Sequence, residues 1–140
     1  MEAGDVLLKR DAAYRMLSHI LDNEHLKLHK KCLTEIESLI FGTGQESDFI
    51  KKLTRRIDKL LKDGYKAIGT EGLEKLGYTS DLYSMHVDTQ SLNIRILFAL
   101  GESNLKLLLL AFHEKEGKGK TDYSQKIPTA KQRLNELNDA

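Results

Sequence analysis

Cysteine, proline, tryptophan and unbalanced charge are all scarce in this 140-residue chain, and each scarcity excludes something. The single cysteine, Cys32, rules out an internal disulfide framework and suits a reducing compartment. One proline, no tryptophan and 40% apolar residues are the composition of an ordinary soluble domain. With 22 Lys+Arg against 21 Asp+Glu the net charge is +1. That balance excludes a strongly charged disordered tail and gives no overall argument for nucleic acid. The longest apolar run, Leu107 to Phe112, falls far short of the ~20 residues a membrane helix needs, so no membrane association is expected. The first residues, MEAGD, are acidic where a signal peptide would be basic. The expectation is one cytoplasmic domain over residues 1–140.

What is present is unevenly placed. Lys51, Lys52, Arg55, Arg56, Lys59, Lys62 and Lys66 fall in one stretch with only Asp58 and Asp63. A second basic stretch runs from His113 to Arg133, and the compensating acid lies in the N-terminal third and in Glu71–Asp88. Exposed charges act within a Debye length of about 8 Å, so a neutral total does not forbid a local basic cleft. Taken alone, residues 51–66 read as a solvated helix face.

Apolar spacing predicts one helix over Leu26–Leu39, stopped at Phe41-Gly42-Thr43-Gly44. A second carries the stripe Phe49, Ile50, Leu53, Ile57, Leu60 and Leu61 and ends at Gly64. Tyr65–Thr79 reads as irregular, with a helical turn at Thr70–Leu76. Three strands follow as a meander: Asp81–Asp88, Asn93–Leu100 and Leu105–Glu114, the last apolar on both faces as a covered central strand would be. A short C-terminal helix is expected from about Tyr123, or from near Ile127 if Pro128 delays its start and Asp122-Tyr123-Ser124 is a turn. Tyr14–Leu21 fits either a helix or an edge strand, and is taken as the strand because the meander would gain a partner. The expected fold is thus α+β, a small antiparallel sheet packed with two N-terminal helices and a short C-terminal one.

Two motifs fall short. His25 and His29 stand at helical i, i+4 spacing, but position 26 is Leu where a zinc helix with a catalytic Glu needs that Glu, and no third ligand is evident. Gly119-Lys120-Thr121 follows an apolar strand like the end of a P-loop, yet Glu114 stands where that loop needs glycine. No metal and no cofactor are expected. A more convergent set comes from the meander. His86 and Arg95 lie across the Thr89–Leu92 turn, near pairing distance, and His113, Lys115, Lys118, Lys120 and Tyr123 follow the third strand. Spacing alone favours two cross-strand surface residues. The same residue types can also cleave RNA without metal: a base takes the 2′-OH proton, a guanidinium stabilises the phosphorane, and an acid protonates the leaving 5′-oxygen. An aromatic ring can stack a splayed base.

From Phe49 to Leu137 the ordered series FIKKLTRRIDKLLKDG, GTEGLEKLGYTSDLYSMHV, NIRILFAL and LKLLLLAFHEKEGKGKTDYSQKIPTAKQRLNEL resembles the RelE/ParE toxin superfamily, and within it the HigB-like branch, also called phage-derived Gp49-like proteins. The resemblance implies a type II toxin that cuts mRNA in the ribosomal A site and is neutralised by a cognate antitoxin. It implies that Arg95 contacts the scissile phosphate and that His86 stands where many members carry Arg. Lys115 then matches one of a basic pair, and Tyr123 an aromatic near the start of the last helix. Lys118 and Lys120 replace charge lost at Glu114; with His113, Lys52, Arg55 and Arg56 they are the expected RNA-binding residues. The chain departs from the family in its near-neutral charge. The alternatives are a ParE-like gyrase poison acting through its helices, and a non-catalytic interaction module derived from such a toxin.

Overall fold

The structure, a computed structural model, describes residues 12, 14–76, 81–102, 105–114 and 119–138, with the side chains of 119–122 excepted. Its elements are α1 (residues 14–21), β1 (Leu26–Leu28), α2 (Lys30–Ile40), α3 (Glu46–Asp63), β2 (Leu73–Lys75), β3 (Tyr83–Asp88), β4 (Asn93–Leu100), β5 (Lys106–His113) and α4 (Gly119–Asn138). The five strands form one sheet in the order β1-β5-β4-β3-β2. It is mixed: β2 to β5 are antiparallel neighbours, whereas β1 runs parallel to β5. The α+β class and the β3-β4-β5 meander agree with the sequence reading. The helix and edge-strand assignments around them do not.

Residues 14–21 are helical rather than an edge strand. The alternation at Tyr14 and Met16 carries no burial, since these side chains are 48% and 45% exposed. Leu17 is buried, with Ile20 and Leu21 packed beside it at i+3 and i+4, so the helical period prevails. The edge strand is instead Leu26–Leu28, which the apolar spacing assigned to a helix. His29 ends that strand and caps α2, its Nδ1 accepting from the Lys31 N–H at 3.1 Å. His25 and His29 therefore do not share a helix face. Thr70–Leu76 contains β2, not a helical turn, because Leu73, Glu74 and Lys75 pair with Met85, Ser84 and Tyr83. The last helix is not short: α4 runs through Pro128, which is exposed, while Tyr123, Ile127 and Ala130 are buried along the helix.

Two cores sandwich the sheet. On one face α1, α2 and α3 pack Leu17, Ile36, Ile40, Phe49, Leu53 and Ile57 against Met85, Val87, Ile94, Ile96 and Phe98. On the other, α4 packs Tyr123, Ile127 and Ala130 against Leu97, Leu107, Leu109, Leu110 and Phe112. A bulge opposite Leu97 and Phe98 moves β5 by one residue, and so places both Leu109 and Leu110 on the α4 side. This is how β5 can be apolar on both faces. Each buried leucine or isoleucine contributes about 1.5–3 kcal/mol by removal from water.

Candidate functional site

Cross-strand partners share a face. His86 pairs directly with Arg95, and Arg95 with Phe112, so these three stand on the α4 side of the sheet. The period of two adds Ser84 and Asp88 from β3, and Glu114 just past β5. On this face α4 contributes Tyr123, whose ring packs on Phe112, and His86 keeps partial exposure.

Arg95 is buried at 8% exposure, so it is not the surface residue that spacing alone favours. Its Nε donates to Glu114 Oε2 at 2.5 Å and its Nη1 to Asp88 Oδ1 at 2.6 Å and to the Ile94 carbonyl at 3.1 Å. Burial alone would lower the guanidinium pKa, but the Asp88 hydrogen bond and the Asp88 and Glu114 charges raise it on balance. The ion is permanently charged, and two carboxylates offset its field.

His86 is partly exposed, and its Nε2 lies 2.8 Å from Glu74 Oε1. An ionised carboxylate only accepts, so the Glu74 contact assigns a proton to Nε2. Tyr123 Oη lies 3.4 Å from the same Nε2 and 3.0 Å from Ser84 Oγ. Burial pushes the Tyr123 hydroxyl up to about 12, against the Ser84 hydrogen bond that lowers it. This phenol therefore stays protonated through neutral pH. Its ring meets Phe112 edge-on at 5.4 Å, and Lys126 Nζ lies 5.9 Å from the Phe112 ring centre.

His86, Arg95 and Tyr123 thus come together as the sequence reading expects. His113 does not join them: it pairs with Ile94 and stands on the opposite, α2 side. Lys115 and Lys118 lie outside the described residues, and only the backbone of Lys120 is described, in the first turn of α4. Of the α3 cations, Lys52 Nζ donates to the Asp88 carbonyl at 2.7 Å and Arg56 Nε to the His86 carbonyl at 3.0 Å, while Arg55 is exposed. Both contacts reach the outer edge of β3 rather than Arg95. Glu74, Ser84 and Asp88 were missed. The i, i+2 spacing of Ser84, His86 and Asp88 signals that Ser84 and Asp88 share the face of His86, but Glu74 carries no signal unless β2 is recognised.

Among the described residues no cluster of His, Cys, Asp and Glu is suited to holding a metal ion. Burial raises the Cys32 thiol far above its ordinary range, which leaves it unreactive as a nucleophile. Among the described residues, no helix is long and apolar enough to cross a membrane. No protein-family model matches the chain, and no curated protein matches it.

Proposed function

We propose that the chain is a toxin domain of the RelE/ParE kind, HigB-like, that cleaves mRNA on the ribosome by metal-independent attack of a 2′-OH on the adjacent phosphodiester. The observation that carries this reading is the direct pairing of His86 with Arg95, with Tyr123 Oη 3.4 Å from the imidazole. The roles follow from the protonation states. His86, oriented by Glu74, accepts the 2′-OH proton at Nδ1. Tyr123, which holds its proton, delivers one to the leaving 5′-oxygen. Arg95 donates its Nη2 hydrogens, which neither Asp88 nor Glu114 engages, to the phosphorane oxygens. The bond formed is 2′-O to phosphorus and the bond broken is phosphorus to 5′-O, leaving a 2′,3′-cyclic phosphate and a 5′-hydroxyl. A cognate antitoxin, the ribosome and mRNA are the partners of such a protein.

A second reading, an interaction module without catalysis, is favoured by one observation: Asp88 and Glu114 both bind Arg95, and a third acid, Glu74, binds His86. Controlled induction in cells separates the readings. The catalytic one expects translation arrest with cut mRNA, lost in His86→Gln. Harmless expression supports the module, and a DNA-damage response with intact translation points instead to a gyrase poison.

A further inference from the structure

β2 pairs with only Tyr83–Met85 of β3, so among the described residues no strand lies beside the outer edge of residues 86–88. The His86 N–H donates to the Gly72 carbonyl at 2.8 Å, and the carbonyls of His86 and Asp88 accept from Arg56 and Lys52. These two cations stand one turn apart on α3 and lie side by side along the edge. The backbone is shaped around the first. Gly72 has φ 79°, and a Cβ there would sit 2.0 Å from Arg56 Nε and 2.7 Å from Nη2. A side chain there would displace the guanidinium from this position, and the left-handed φ itself favours glycine.

Charge separates this edge from the Arg95 cluster. Arg95 is offset by two carboxylates within 2.6 Å. Among the described residues no carboxylate pairs with Arg56, and the ion pair of Lys52 is with half-exposed Asp48 at 3.4 Å, in competition with water. Arg56 is half-buried and spends its Nε–H on the His86 carbonyl; among the described residues no hydrogen bond engages its Nη groups.

We propose that Arg56 and Lys52, in the slot opened by Gly72, form a phosphate-binding site for the backbone of single-stranded RNA along the open edge of β3. The site is a built one beside His86, distinct from a diffuse basic face, and it excludes Arg55, Lys62 and Lys66. It rests on the RNA reading above and deepens it by locating where affinity, as opposed to chemistry, resides. Each phosphate held releases condensed counterions, so log K falls with log salt by about 0.7 per contact for a single strand.

The test is ribosome-free binding of a labelled single-stranded oligoribonucleotide to the full chain, by anisotropy across a salt series. Arg56→Gln, Lys52→Gln and the double variant are compared with Lys62→Gln/Lys66→Gln, which removes equal charge from the same helix. Each single change is expected to weaken binding about five- to tenfold and to lower the salt slope by about 0.7, with the control pair within twofold. Arg56→Lys retains the slope. Lys52→Gln alone carries the test if Arg56→Gln does not fold. The proposal is overturned if wild type does not bind RNA, if the control pair loses as much, or if a glutamate-rich peptide of equal charge binds more tightly. Binding with the expected slopes but no cleavage would remove the nuclease reading and leave this site standing as an RNA contact.

Discussion

The sheet has two incompletely covered edges, and they are closed in different ways. At β5, the three residues of β1 pair with Lys106–Leu108 and then stop. Beyond them Arg133 Nη1 donates to the Leu109 carbonyl at 3.0 Å, and the Ala111 N–H donates to Glu35 Oε1 at 3.0 Å. Glu35 and Arg133 also bind each other through both oxygens, at 2.7 and 3.0 Å. This side-chain pair takes the place of the missing strand, and it is electrically neutral. At β3, the missing strand is replaced by two cations, of which Lys52 pairs with half-exposed Asp48 and Arg56 has no carboxylate partner among the described residues. An edge that needs only its backbone groups satisfied is served by a neutral pair, as at β5. The cations at the β3 edge are the basis of the phosphate site proposed above.

The comparison can be broken at several points. Arg133→Met leaves the Glu35 carboxylate and the Leu109 carbonyl without their partner, and is expected to cost about 3 kcal/mol in denaturant unfolding. Converting both Glu35 and Arg133 to apolar residues should cost less than the two single changes together, because neither charge is stranded. Gly72→Ala is expected to cost about 2 kcal/mol from its positive φ and its clash with Arg56. Adding Arg56→Ala to Gly72→Ala should recover part of that loss, and no recovery would mean that the slot is not shaped by the guanidinium. Tyr123→Phe removes the Ser84 hydrogen bond for about 1 kcal/mol at neutral pH. Its pH dependence has a definite sign. The Tyr123 pKa is raised on folding, so its contribution is intact below the ordinary phenol range near 10 and is lost as pH rises toward about 12. The Phe variant should therefore lose less stability than wild type across that window. Lys52→Gln, at an exposed site, should change stability by less than about 1 kcal/mol while still changing RNA affinity.

Much of the meander was legible in advance because alternation, hairpin-length breaks and a doubly apolar third strand all agree there. The four-residue Thr89–Leu92 link fixes His86 opposite Arg95, and the structure has that register. Helical and strand periods conflict at residues 14–28. Leu17, Ile20 and Leu21 satisfy the helical one, while Leu26–Leu28 is a strand only because β5 offers an edge. β2 was illegible for the same reason: three residues, two of them exposed, form a strand through their ladder to β3 and not through any pattern of their own. Missing β2 concealed Glu74, and with it the carboxylate that sets the His86 tautomer. Asp88 and Glu114 were visible as acids, but their closing on Arg95 depends on the diagonal geometry of neighbouring strands.

The central claim is that the cluster around His86 and Arg95 cuts RNA. It is tested most directly by programmed ribosomes carrying a labelled mRNA, incubated with wild type and with His86→Gln. The account predicts cleavage by wild type with 2′,3′-cyclic phosphate ends, and a loss of at least about a hundredfold in the variant, the scale of one proton-transfer group. Intact mRNA with folded wild type, or an undiminished rate in His86→Gln, would contradict it.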